Sequence, residues 1–247
     1  MEGHTKKMFL KITGFSKKDL KGKLVLDFGC GSGRFIDIVR EMGGIAVGID
    51  MSAAVEPARE NFKNDTNVLI VQGDILHPPF RKSIFEVGYT IGVLHHTPNP
   101  GKGLKNLSYT IKKGGLIACS VYGKGGFYAY PSTYLYRKIH KHISFLFGNR
   151  PAIFYSYFSA YFIYYALNIL KKLPLRHPLA HLIRKYVFVT VYIPDAKWRT
   201  LDIFDAITPS YASTHTGKEI AQWFKDARIR NLTQTKWSST SFRGRKM

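Results

Sequence analysis

The chain has 247 residues, 45% of them hydrophobic, which suffices for one large domain, or for a domain with an insertion, around a sizeable core. Its two cysteines, Cys30 and Cys119, exclude a dense disulfide framework and favour a reducing cytosol. Lysine and arginine number 37 against 16 acidic residues; the formal charge of +21 favours nucleic acid, anionic lipid or a phosphorylated substrate as partner, or else reflects a solvated basic surface.

The N-terminal segment, residues 1–23, is basic and weakly patterned. Its first residues lack the apolar core of a signal peptide, which again favours a cytoplasmic protein. The pattern does not define a helix or a strand in this segment.

A strand, a glycine turn and a helix come next. Residues 24–28 are an apolar run that predicts a buried strand, and the apolar spacing over 34–42 predicts a helix. The turn contains three glycines, Gly29, Gly31 and Gly33. Glycine permits a tight turn and a close approach of ligand to backbone. The dinucleotide fingerprint G-x-G-x-x-G would need a glycine where Arg34 stands, so no pyrophosphate site is implied.

The alternation of strands and helices continues to residue 122. Further strands are predicted at 45–49, 68–71, 86–91 and 115–122, and further helices at 52–62 and 102–111. This order predicts an α/β fold with a parallel sheet and right-handed crossovers.

Five stretches of this region resemble, in order, motifs of the class I S-adenosylmethionine-dependent methyltransferases. Asp27–Gly33 is similar to motif I of that family. The other four stretches are Val47–Ser52, Val71–Ile75, Ile91–Pro98 and Ile111–Ile117. The resemblance covers roughly residues 20–123 and implies a cofactor-binding core over 24–122. It also implies a Rossmann-like sheet of seven strands, mostly parallel, with helices on both faces and an antiparallel final strand.

The resemblance implies S-adenosyl-L-methionine as cofactor and no metal. Asp50, about 17 residues beyond the last glycine, would accept both ribose hydroxyl protons, or else cap a helix. Asp74 would accept from the adenine amino group and Ile75 would donate its backbone N–H, or else the pair forms an Asx turn. Met51 would pack on the adenine or in the core. The other predicted cofactor residues are Asp27, Gly29, Cys30, Gly31, Gly33 and Ile91, with Asp27 orienting the loop or meeting the amino group of the methionine moiety.

Two histidines, His95 and His96, follow the fourth predicted strand. Ligands of parallel sheets bind outside the carboxyl ends of the strands, and a histidine can accept a proton near neutrality. We predict His96 as a catalytic base and His95 as a substrate contact; the alternative is that both only hydrogen-bond the loop. The Pro-Pro pair of His77–Phe80 precedes this strand instead of ending it, which argues against the adenine-N6 methyltransferases with a similar signature.

The alternation stops at Gly123, and residues 123–199 are predicted as a helical insertion after the fifth strand. The insertion is rich in Tyr, Phe, Leu and Ile, and basic residues such as Lys138 and Arg184 punctuate it. Within it, Pro151–Leu170 has no charged residue and the length of a membrane span, but its five tyrosines make it too polar to cross a bilayer. We predict a lid over the acceptor pocket, with an interfacial helix as the alternative.

Residues 200–247 are predicted to complete the core. A stretch near their start resembles a segment of related methyltransferases that returns to the active site. It supplies a second candidate base, His215 with Asp205, and a substrate contact, Tyr211; the alternative is a polar loop and helix cap. The last predicted elements are a helix at 220–225 and an antiparallel pair at 231–237 and 241–245.

We therefore expect an enzyme that transfers a methyl group from S-adenosyl-L-methionine to an oxygen or carbon of a small or lipid-like acceptor. An RNA methyltransferase is the chief alternative because of the charge, although the basic residues are spread along the chain. A non-catalytic cofactor-binding module is the other. The protein is expected in the cytoplasm, with peripheral association at an anionic inner membrane surface left open, and the sequence does not indicate an oligomeric state.

Overall fold

The structure, a computed structural model, describes residues 2–172 and 177–247. The chain divides into two compact units. The sheet unit comprises the chain up to Gly123 together with His215–Met247, and the helical unit comprises Lys124–Thr214. The helical unit thus extends beyond residue 199, the predicted end of the insertion, because the helix at Ala196–Ile207 contributes to its apolar core.

The sheet unit contains a seven-stranded sheet in the order β3-β2-β1-β4-β5-β7-β6. The strands are β1 (Leu24–Phe28), β2 (Ile45–Asp50), β3 (Val68–Gln72), β4 (Phe85–Ile91), β5 (Ile111–Ser120), β6 (Ile229–Gln234) and β7 (Ser241–Lys246). The first five strands run parallel, whereas β7 pairs antiparallel with both β5 and β6. The predicted fold class is confirmed. The fifth strand begins at Ile111, where the sequence predicts the end of a helix.

Eleven helices lie within the described residues. They are α1 (Glu2–Thr13), α2 (Lys17–Leu20), α3 (Ile36–Glu41), α4 (Val55–Phe62), α5 (Pro100–Thr110), α6 (Pro131–Phe147), α7 (Arg150–Phe158), α8 (Tyr164–Lys172), α9 (His177–Tyr186), α10 (Ala196–Ile207) and α11 (Gly217–Asp226). A 3-10 turn spans Leu94–His96, and a π turn, Ser159–Ile163, joins α7 to α8.

Large apolar side chains fill two clusters in the sheet unit. Phe28, Ile49 and Phe85 belong to one cluster, and Phe9 and Tyr89 belong to the other. Phe9 lies on α1, and its ring meets that of Tyr89 edge-on at a centroid distance of 5.1 Å. The N-terminal segment, unpatterned in sequence, is therefore a helix that packs on the sheet.

The helical unit has a smaller core with smaller side chains. The buried residues of this core are Ala152, Ala160, Val189, Val191, Ile203, Ala206 and Ile207. The uncharged run Pro151–Leu170 lies on α7, the π turn and α8. Among the helices in the described part of the chain, none combines the length and apolarity needed to cross a membrane.

Candidate functional site

The glycine turn after β1 leaves an open space beside one residue. All three glycines have positive φ, +105° at Gly29, +50° at Gly31 and +86° at Gly33. A Cβ at Gly29 would clash with a methyl group of Val93, and one at Gly33 would lie 2.7 Å from the ring of Phe62. A Cβ at Gly31 would meet nothing within 4 Å. The first and third glycines are thus required for packing, and the middle one exposes backbone that a ligand can approach.

Asp50, at the end of β2, is bound to this exposed backbone. Its Oδ2 accepts a hydrogen bond from the Gly31 N–H at 2.9 Å. Its Oδ1 accepts from the backbone N–H and the hydroxyl of Ser52 at 2.9 and 2.7 Å. Met51 beside it is 71% exposed. The carboxylate is therefore held in a defined position at the open side of the turn.

Asp27, at the end of β1, is a buried acid with one tyrosine donor. Its carboxyl group is 2% exposed, and Oδ2 accepts from the Tyr89 hydroxyl at 3.0 Å. Burial raises the pKa of Asp27 to about 8, against the lowering effect of the Tyr89 hydrogen bond, and the charge of Asp50 raises it further. Burial also raises the pKa of the Cys30 thiol, which is therefore protonated and not a nucleophile. A cation placed beside Asp27 would restore the charged carboxylate.

The acid after β3, Asp74, belongs to a chain of polar side chains. Its Oδ1 accepts from the Leu76 N–H at 2.7 Å, and this bond is the main cause of a lowered pKa of Asp74. Its Oδ2 lies 2.9 Å from His77 Nδ1, and His77 Nε2 lies 3.0 Å from Lys102 Nζ. From the sequence, His77 is notable only for the Pro-Pro pair that follows it. In the structure it orients Asp74. Lys102 was missed, because it lies 28 residues away on a separate helix.

The two histidines after β4 occupy different environments. His95 is fully buried, its ring lies 3.6 Å from that of Tyr122, and its Nδ1 accepts from the Tyr122 N–H at 3.3 Å. His96 is half-buried, with its ring 4.2 Å from that of His95. His95 therefore contributes to the packing of this edge, and His96 is the more accessible of the two. Their predicted catalytic and substrate-binding roles stay predictions.

His215 lies in the sheet unit, next to Tyr122. Its backbone N–H donates to the Tyr122 carbonyl at 2.9 Å, and its ring lies 4.6 Å from that of Trp223. Tyr122 thus brings His95 and His215 to the same edge of the sheet unit. Asp205 and Tyr211 lie on the helical unit, where both are exposed. The predicted pairing of His215 with Asp205, and the contact of Tyr211 with substrate, stay predictions.

Two other features bear on binding. A solvent-open groove of about 820 Å³ near α3 and α4 contains Gly33 but not the acids at the strand ends, so we assign it no part in the site. Among the described residues, no group of three His, Cys, Asp or Glu side chains could hold a metal ion.

Comparison with known proteins supports the sequence motifs. Residues 26–119 match the family model of a methyltransferase domain. A ubiquinone biosynthesis O-methyltransferase of Coxiella burnetii is 32% identical over 116 residues, 46% of this chain and 49% of that protein. A demethylmenaquinone methyltransferase of Lactococcus lactis is 34% identical over 108 residues, 41% of this chain and 42% of that protein.

Some solved structures match along nearly the whole chain, and one of them illustrates the likeness. It is a chain of the complex between the Haloferax volcanii Trm112 methyltransferase activator and a methyltransferase, with a TM-score of 0.53 at 15% identity, covering 99% of this chain and 94% of that one. This likeness concerns the fold alone. A methyltransferase domain, as the sequence motifs predict, is confirmed over residues 26–119. The chain spans about half the length of the curated relatives it matches, so the family match leaves its acceptor open.

Proposed function

We propose that this chain is an enzyme that binds S-adenosyl-L-methionine at the carboxyl edge of β1–β4 and transfers its methyl group to an oxygen or carbon of a small or lipid-like acceptor. One observation carries the proposal. Within a methyltransferase domain, the space beside Gly31 is open, and the Gly31 N–H donates to the carboxylate of Asp50. A side chain at position 31 would fill that space, and glycine leaves it clear.

The residues present at this edge fit the cofactor. Asp50 offers carboxylate oxygens to the ribose hydroxyls, and Asp74 with Ile75 lies at the next strand end for the adenine. Asp27 supplies a buried carboxyl group for the ammonium of the methionine moiety, and that cation would offset the cost of ionising it. When bound, the cofactor supplies a methyl group on a positively charged sulfur.

The protein itself has to position the acceptor, exclude water and remove a proton where the acceptor is a hydroxyl or an acidic carbon. His96, half-buried after β4, is our first candidate for the base. His215, against the ring of Trp223, is the second, with Asp205 as its proposed partner. His95 and Tyr211 are proposed to contact the acceptor.

The relatives and a pocket of the helical unit support the proposed acceptor class. By their names, one relative is an O-methyltransferase of ubiquinone biosynthesis and the other is a methyltransferase of demethylmenaquinone. The pocket, of about 410 Å³, is lined by Tyr128, Tyr134, Arg137 and small residues. Aromatic walls beside a guanidinium suit a ring with polar substituents. A quinone-like lipid is therefore our leading acceptor, reached by a cytoplasmic protein at an anionic membrane surface. RNA is the alternative acceptor that the assay must exclude.

Calorimetry with S-adenosylhomocysteine tests the binding site. We expect one site, and Asp50→Ala should weaken binding by about 1–3 kcal/mol because the ribose hydroxyls lose their partner. Glu60→Ala is the matched control, since Glu60 is an exposed acid on α4 of the same unit. Wild-type affinity no better than millimolar would reject the site.

A methyl-donor assay tests the acceptor class. Extracted lipid and metabolite pools are compared with RNA and protein pools, and label should enter a lipid or small molecule. Label confined to RNA or protein would replace the proposed acceptor, and no label in any pool, with intact cofactor binding, would favour a non-catalytic module.

A further inference from the structure

In the segment formed by α7, the π turn and α8, the large apolar side chains of α7 and the π turn lie outside and the small ones inside, and α8 continues the outer side with Tyr165 and Ile169 while it buries Leu167. The inward side chains include Ala152, Ser156, Ser159 and Ala160, all at most 3% exposed. The outward side chains are Ile153, Phe154, Tyr157, Phe158, Tyr161, Phe162, Tyr165 and Ile169, each between 38% and 74% exposed. A helix on the surface of a soluble domain normally shows the opposite distribution. We call these eight side chains the outward row.

Polar contacts fix this orientation. Ser159 Oγ donates to the Val189 carbonyl at 2.5 Å, and the Val189 N–H donates to the Tyr155 hydroxyl at 2.8 Å. Arg199, fully buried, donates from Nε to the Ala160 carbonyl at 2.7 Å. Rotating the segment to bury its aromatic side would break these bonds, so the outward row is a property of the fold.

The π turn keeps the row on one side. In a regular α-helix, residues four apart drift steadily around the axis, because four residues exceed one turn. A π turn contains more residues per turn and reduces that drift across Ser159–Ile163. The rings of Tyr157 and Tyr161 stack at 6.4 Å, and those of Phe158 and Phe162 stack at 5.5 Å. The outward row is consequently a continuous surface, and a continuous apolar surface of this kind marks an interaction site.

The charge of this part of the chain indicates what covers the row. No aspartate or glutamate occurs between Glu86 and Asp195, whereas residues 124–194 contain ten lysines and arginines. Arg150 and Lys172 are exposed at the two ends of the segment. On α6, the exposed Lys138 stands beside the exposed Ile139. A second copy of this chain would bring like charges together, and an anionic lipid surface would be attracted.

We propose that the outward row is a membrane-docking surface, on which α7, the π turn and α8 lie along an anionic bilayer with the aromatic rings at the level of the headgroups. Tyrosine and phenylalanine on one side of a helix, with basic residues at its ends, are typical of helices that lie in the interface. The segment of 23 residues is about 34 Å long at 1.5 Å per residue. The proposal rests on the proposed function for one point, that the acceptor is lipid-like.

Flotation with lipid vesicles tests the docking surface. We expect the wild-type protein to float with vesicles of phosphatidylcholine and phosphatidylglycerol, and to stay at the bottom with phosphatidylcholine alone. Phe154→Ser with Phe162→Ser should lower the bound fraction roughly tenfold or more, because two buried phenyl rings are lost from the interface. The matched control is Leu69→Ser with Tyr109→Ser, two exposed apolar residues of the sheet unit.

Each outcome decides the proposal. Both double variants should keep the wild-type melting temperature and affinity for S-adenosylhomocysteine, since all four side chains are exposed and none is in the cofactor site. Flotation lost with Phe154 and Phe162 and kept in the control supports docking. Absence of wild-type flotation at low salt overturns it, as does a lipid-free dimer that the same two substitutions dissociate. The cofactor and acceptor assays are scored separately, so failure of docking leaves the proposed reaction standing.

Discussion

The two units solve the problem of burial in opposite ways. The sheet unit encloses large side chains, among them Phe9, Phe28, Phe85 and Tyr89, all at most 1% exposed. The helical unit encloses alanines, serines and a few branched residues, and leaves Phe154 and Phe162 in contact with solvent. A run of apolar residues therefore forms a core in the sheet unit and an exposed surface in the helical unit, so apolarity alone does not decide which side chains are buried.

The buried ionisable side chains of the two units differ as well. Asp27 in the sheet unit accepts from the Tyr89 hydroxyl and is mostly protonated at neutral pH. Arg199 in the helical unit donates to the carbonyls of Ala160, Ile193 and Pro194, and its guanidinium lies 3.5 Å from the ring centroid of Tyr164. The sheet unit thus depends on apolar packing, and the helical unit depends to a greater extent on polar anchors.

The largest effect expected from this comparison is in the sheet core. Phe28→Ala should cost about 3–5 kcal/mol in the free energy of unfolding, because it leaves a cavity between packed side chains. Ile169→Ala on the outward row should change it by less than about 0.5 kcal/mol in lipid-free buffer. Urea denaturation measures both. Similar losses at the two positions would show that the outward row is buried in solution and would remove the contrast.

Arg199→Ala should have the next largest effect, confined to the helical unit. It leaves the buried Ala160 carbonyl without its donor and should cost about 2–4 kcal/mol. Hydrogen exchange should show faster exchange of the amides in 152–167. The amides of the sheet strands should exchange at the wild-type rate. Lys138→Ala, which removes an exposed cation from α6, is the control. Unchanged protection after loss of Arg199 would contradict its role as an anchor.

Asp27→Asn should produce an effect that, unlike the two above, depends on pH. The folded-state pKa of Asp27 is about 8 against an ordinary value of 3.8, so its stabilising contribution is complete below about pH 4 and is lost as the pH rises to about 8. Asparagine does not titrate, and the melting temperature of the variant should therefore rise relative to wild type between these values and then level off. Glu56→Gln, at an exposed acid of α4, is the control. A difference that does not change with pH would place the pKa of Asp27 in its ordinary range.

The strands and the glycine turn could be predicted because they are local. In β1, β2 and β4 the side chains are buried on both faces of the sheet, and such strands are visible as short apolar runs. Gly29 and Gly33 are needed at their positions because Val93 and Phe62 leave no room for a Cβ, and glycines at alternate positions are conspicuous in a sequence. The same local pattern failed at β5, where Ile111–Gly114 continues a helical pattern into the strand.

The amino-acid sequence by itself determined the order of strands and helices over residues 24–122, the glycine turn and the acids at the strand ends, because each depends on neighbours a few residues away. Tertiary structure alone decided that Asp50 binds the Gly31 backbone, that Tyr89 holds Asp27, and that Arg199 holds the small side of α7 and the π turn inward. These contacts join residues 19, 62 and 39 positions apart. A helix with apolar residues on one side and small residues on the other can be buried on either, and it is the distant partner, here a buried arginine, that selects the side.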